Sequence, residues 1–90
     1  MKKNNITVVV SGCANTGKST ISKIILDVLR EKGFDVEVAP EMLMDYGGSE
    51  LKFHHTMQQH EDKRLKAVNE KSRITVTEQQ LRREANVEKT

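Results

Sequence analysis

The sequence predicts an α/β fold: a minimal three-stranded parallel sheet in the order β-α-β-α-β, with helices on both faces. Three observations predict it. An almost unbroken apolar run, Ile6-Thr7-Val8-Val9-Val10, leads directly into the glycine-bracketed string Gly12-Cys13-Ala14-Asn15-Thr16-Gly17-Lys18-Ser19. A strongly amphipathic helical stretch follows that string at once. Two further segments, 34–38 and 74–79, alternate in polarity at the strand period. Strands separated by helices are joined by right-handed crossovers, which makes them parallel and sends the two helices to opposite faces.

Each element has its own justification. The run 6–10 is apolar on both faces, as a covered strand requires. The first helix is expected over 18–32, because Ile21, Ile24, Ile25, Val28 and Leu29 recur at i, i+3, i+4, i+7 and i+8. Lys23, Asp27, Arg30 and Glu31 fall off that stripe and are expected to face water. Gly33 suits a left-handed C-terminal cap. Phe34, Val36 and Val38 alternate with Asp35 and Glu37, a half-exposed second strand that Pro40 ends by removing a donor. Residues 41–48 read as a loop closing at Gly47-Gly48. A second helix is expected over 49–71, with Ser49 as N-cap. Its apolar residues, Leu51, Phe53, Met57, Leu65 and Val68, do not keep one phase. Residues 74–79, Ile-Thr-Val-Thr-Glu-Gln, are β-branched and alternating, a third strand. Residues 1–81 form one domain in this reading, and 82–90 a polar tail, frayed or briefly helical.

Size and composition bound the function. Ninety residues make one small domain, in which about 60–65 % of the extended-chain surface can be buried. Charged residues are 31 % of the chain, but the formal net charge is only +2. That balance argues against nucleic acid and against an anionic membrane surface as partners. Lys2 and Lys3 sit in a polar leader with only five apolar residues behind it, too short for a signal peptide. The expected location is the cytoplasm. The lone cysteine, Cys13, has no internal partner, which suits a reducing compartment, and it reads as a small filler in the loop.

Gly12-x4-Gly17-Lys18-Ser19 is a complete G-x-x-x-x-G-K-[ST] string, preceded by an expected strand and followed by a helix. Glycines at both ends let the chain curl around a phosphate and aim successive N–H groups at its oxygens. The helix N-terminus adds further N–H groups and the positive end of a dipole. Lys18 would reach the β- and γ-phosphates. Ser19 would offer a hydroxyl to Mg²⁺, an oxygen-seeking ion that keeps most of its waters. By position Thr20 is a helix residue rather than a ligand.

The string V-V-V-S-G-C-A-N-T-G-K-S-T-I-S-K-I-I, residues 8–25, resembles the P-loop NTPase superfamily. It looks most like the start of small-molecule kinases such as adenylylsulfate and shikimate kinase. It is also similar to short P-loop ATP-binding proteins of tailed bacteriophages, which keep only the N-terminal half of such a domain. Close likeness covers 6–38. The resemblance implies binding of ATP or GTP through Gly12, Asn15, Thr16, Gly17, Lys18, Ser19 and Thr20, with Mg²⁺, in the cytoplasm (the host's, if phage-encoded). It also implies a strand order with the third strand between the second and the first. The first strand would then be an apolar edge, for which a homo-oligomer is the expected cover.

The acidic half of such a site is less well marked. No Asp ends the third strand; Glu78 stands there and is the candidate second metal ligand beside Ser19. Glu41, just past the second strand, is the candidate catalytic carboxylate beside Lys18, with Asp45 close behind. Each is equally well explained as a solvated charge. No arginine-rich lid and no N-K-x-D guanine-reading motif occur. ATPase or kinase-like phosphoryl chemistry is the first expectation, and a non-catalytic nucleotide-sensing module the alternative. His54, His55 and His60 do not share the i, i+4 face that helical metal sites use, and read as surface or packing residues. Arg64, Arg73, Arg82 and Arg83 are candidate phosphate partners that read first as surface arginines. Met42, Met44 and Met57 read as gap-fillers in a thin core.

Overall fold

A computed structural model describes residues 4–80 of the chain, and its regular elements are all helical. Helix α1 spans Lys18–Glu31, a 3-10 helix spans Pro40–Tyr46, α2 spans Glu50–Gln58 and α3 spans Glu61–Lys71. The tail 82–90 and the lysines at 2 and 3 lie outside the described residues.

The expected three-stranded parallel sheet is not formed: among the described residues there is no β-strand. The segments 6–10, 34–38 and 74–79 lie outside regular elements. A strand is held by cross-strand pairs and ladder hydrogen bonds, not by β-propensity alone. None of the described backbone hydrogen bonds outside the helices involves residues 4–12 or 73–80. Both segments instead line a broad trough of about 1440 Å³, whose α1 side presents Ile21 and Ile25. Ile6 and Val76 are each 90 % exposed. Residues 34–38 take another course: Val36 and Val38 pack on the helical core, while Phe34 stays exposed.

The loss of the sheet changes which face of α1 is buried. Thr20, Lys23 and Leu26 are the buried positions. The expected stripe is only half-covered at Ile21, Ile25 and Leu29, and exposed at Ile24 and Val28. Lys23, expected to face water, is buried and ion-paired to Asp27. Leu26 faces the core of Leu43, Phe53 and Met57, in which Phe53 is fully buried. Tyr46 meets Phe53 edge-on, with centroids 5.2 Å apart. Of the three methionines, Met57 is buried, Met42 packs on the core and Met44 is exposed.

Local sequence signals set the helix ends. At the end of α1, Gly33 has φ +93° and its N–H donates to the Arg30 carbonyl, while Phe34 N–H donates to Leu29 O at 3.1 Å. These are the paired 5→2 and 6→1 bonds of a glycine C-cap. Pro40 occupies the first turn of the 3-10 helix, where its missing N–H costs nothing. Ser49 caps α2: its hydroxyl accepts from Lys52 N–H at 3.1 Å.

The single helix expected over 49–71 is broken in two. Gln59 leaves the helix at ψ 129° and His60 turns the chain at φ +55°. The break explains the phase slip in the apolar pattern: Phe53 and Met57 belong to one helix, Val68 to another.

Candidate functional site

The glycine string forms the turn before α1. Asn15 at φ +64° and Gly17 at φ +97° are left-handed, and Thr16 between them is not. Such alternation turns neighbouring N–H groups to one side, and asparagine is one of the few side chains that tolerate it. Thr16 Oγ1 donates to Cys13 O at 2.7 Å and closes the turn. A Cβ on Gly12 would lie 2.9 Å from Thr16 Oγ1 and 3.5 Å from Lys18 Cγ. The Thr16 hydroxyl is what crowds a side chain at Gly12, while the Lys18 stem lies at ordinary contact distance beside it. Cys13 is exposed at the tip.

Gly17 is the N-cap of α1, and no side chain caps this end. The chain makes a hydrogen-bonded turn at residues 14–15, and Ile21 N–H, bonded to Gly17 O at 3.1 Å, is the first of the α1 N–H groups to find a partner among the described residues. The first turn of α1 holds no acidic residue and carries Lys18. Both other α-helices follow the opposite rule: α2 starts with Glu50, α3 with Glu61 and Asp62. A cation beside unpaired N–H groups at the positive end of a helix dipole is unfavourable in isolation and favourable once an anion sits among them.

Helix α3 packs against this turn. Ser72 Oγ donates to Thr16 O at 2.8 Å. A Cβ on Gly17 would overlap Val68 Cγ2, so the glycine is required by close approach as well as by its positive φ. Between loop and helix lies a cavity of about 370 Å³. Its loop side is Asn15, Thr16, Gly17, Lys18, Ser19 and Thr20. Thr20 is buried on α1 as well as lining the cavity. The α3 side is Arg64, Ala67, Val68 and Lys71, and Tyr46 and Met57 contribute from the core. No carboxylate lines it.

The structure thus brings together every loop residue of the expected phosphate site except Gly12, which lies behind the Lys18 stem and faces the broad trough. Glu41 and Asp45 are exposed on the 3-10 helix and line neither cavity nor trough. Glu78 is exposed and lines the trough, as Lys18 and Gly12 do, but not the cavity. Arg73 also lines the trough. Arg82 and Arg83 lie outside the described residues.

A second polar cluster joins α1 to α2. Arg30 pairs with Glu50 through both guanidinium Nη atoms and also donates to Val36 O at 2.9 Å. His54 Nε2 lies 2.9 Å from Glu50 Oε2, and its Nδ1 lies 3.9 Å from Asp27 Oδ1. The Arg30 hydrogen bond first, then that of His54, hold the Glu50 carboxyl down to about 2. Among the described residues no group of three or more His, Cys, Asp or Glu is placed to hold a metal ion.

No protein-family model, curated protein or solved structure matches this chain. No described helix is long and apolar enough to cross a membrane.

Of the cations that line the cavity, Arg64 was one of four candidate arginines in the sequence and Lys71 was missed. Arg64, Ala67, Val68 and Lys71 are spaced i, i+3, i+4 and i+7, one helical face with a cation at each end, and that spacing is the signal that could have found Lys71.

Proposed function

We propose that the chain binds a purine nucleoside triphosphate, ATP in the first instance, with the phosphate tail in the turn ahead of α1. The observation that carries this is the open N-terminus of α1, whose first-turn N–H groups have no partner among the described residues and stand beside Lys18 with no side-chain cap and no acidic residue. The G-x-x-x-x-G-K-[ST] string supports the same ligand, and its resemblance to P-loop NTPases supplies the purine base. Lys18 neutralises the distal phosphates and Asn15, Thr16, Gly17 and Thr20 border them. Gly12 makes room for the Thr16 hydroxyl that closes the turn. Mg²⁺ would be held by Ser19 Oγ and by phosphate oxygens and water, and would supply charge neutralisation there; Glu78 could join it only by moving from the trough.

Turnover is the less favoured half of this proposal. Phosphoryl transfer needs a group to position the nucleophile, and no carboxylate lines the cavity. Glu41 would have to be brought in from the 3-10 helix. That observation favours a nucleotide-responsive binding module over an ATPase or kinase. Equilibrium dialysis with labelled ATP and Mg²⁺, followed by chromatography of the same samples, separates the two. Saturable retention with no ADP above a protein-free control is the expected result. ADP formation that disappears in Lys18→Ala would establish the enzyme instead, and absence of retention at millimolar ATP would overturn both.

A further inference from the structure

We infer that Arg64 and Lys71 of α3 are phosphate ligands, forming with Lys18 a three-cation clamp that grips a polyphosphate tail without needing a metal ion. This deepens the nucleotide-binding proposal and rests on it.

Among the described cations, only three line the cavity beside the turn. Lys23 and Arg30 are paired, to Asp27 and Glu50. Lys18, Arg64 and Lys71 line one cavity, and none of them makes an ion pair with a described residue. Three like charges around a cavity of about 370 Å³ without a lining carboxylate repel one another. Solvent screens part of that repulsion at the exposed Lys18 and Lys71, and an anion bound among the three turns the rest into attraction. A triphosphate, whose terminal group is doubly ionised above pH ~6, fits this better than a monoanion or a neutral ligand.

The positions are built rather than incidental. Val68 against Gly17, and Ser72 Oγ on Thr16 O, fix α3 to the loop. Arg64 is one turn before Val68 and Lys71 nearly one turn after it, so the two flank that contact on the same face. Arg64 Nε donates to Gln59 O at 2.9 Å, which braces the guanidinium against the α2–α3 break. Neither of its Nη atoms hydrogen-bonds to a described residue, which leaves the forked end for a phosphate. With a single hydroxyl, Ser19, as the loop's metal ligand, cationic side chains take over much of the neutralisation that a better-held Mg²⁺ would provide.

The test is calorimetric titration of the full chain with ATP and with inorganic tripolyphosphate, each in EDTA and in Mg²⁺. The variants are Arg64→Gln with Lys71→Gln, the charge-keeping pair Arg64→Lys with Lys71→Arg, and Lys63→Gln, an exposed α3 position off the cavity face. Circular dichroism checks that each keeps its helices. The expected result is wild-type binding of both ligands in EDTA, about tenfold weaker or worse in the double Gln variant. Binding should be largely kept in the Lys/Arg exchange and within twofold of wild type in Lys63→Gln. Should the double Gln variant bind metal-free ATP as wild type does while Lys18→Ala does not, the clamp is overturned and the loop site stands. Wild-type binding that requires Mg²⁺ also overturns the clamp alone. Failure of wild type to bind in either buffer overturns clamp and loop together.

Discussion

Gly17 answers two demands at once, a left-handed backbone and contact with Val68. Gly17→Ala is therefore expected to strain the turn and push α3 off the loop. Thermal melts should fall by several degrees, and nucleotide affinity should fall with them, whereas Gly33→Ala, strained by its φ of +93° but meeting no neighbour, should lower the melt while leaving nucleotide affinity unchanged. Glu50 carries a different prediction. Its folded carboxyl titrates near 2, below the ordinary 4.5, so its pairing stabilises the fold fully above pH ~4.5. That contribution drains away as pH falls toward 2. Urea midpoints measured from about pH 6 down to 2.5 should drop more steeply in wild type than in Glu50→Gln. Parallel curves would contradict the pairing. At this scale the loop was legible, because its residues act through local backbone geometry. Arg64 stood out only as one of four candidate arginines and Lys71 not at all, because their place beside Lys18 comes from the packing of α3 on the turn, a non-local contact.

The helices are held by contacts that differ sharply from those expected of a sheet protein. Phe53 is fully buried between α1, α2 and the 3-10 helix, so Phe53→Ala should cost about 3–5 kcal/mol and leave the chain largely unfolded. Val8→Ala and Val76→Ala remove exposed methyls and should change stability by no more than about 0.5 kcal/mol in denaturant titrations. In a three-stranded sheet both would lie among packed neighbours and cost clearly more. Losses of about 1 kcal/mol or greater at Val8 or Val76 would favour the sheet over the helical fold described here. Local signals read correctly at this scale: the Gly33 cap, the Ser49 cap, and α1 to within a residue of its end. The strands failed because a strand is defined by a partner, and pairing is non-local. The α1 stripe misled for the same reason, since it marks the face a sheet would cover, while Leu26 faces the core that actually forms.

Across the whole molecule, the apolar residues that are fully enclosed are few: Leu26, Leu43, Phe53, Met57 and Val68 among those described. Val68 packs α3 against Gly17 of the turn before α1, so under the proposed function a ligand in that turn would be felt in the stability of the fold. A ligand that binds only the folded chain adds about 2.7 kcal/mol at a hundredfold excess over its Kd. For a domain of this size that is a rise in Tm of roughly 10 °C or more, visible in any thermal shift assay. Nucleoside, which lacks phosphates, should produce none. The central claim is that the turn before α1 grips a polyphosphate through main-chain N–H groups and Lys18. Titration calorimetry of wild type and Lys18→Ala with ATP tests it most directly. The account predicts saturable one-site binding in wild type, weakened at least tenfold in Lys18→Ala with its helical content unchanged. Equal affinity in the two proteins, or no heat from wild type at millimolar ATP, would contradict it.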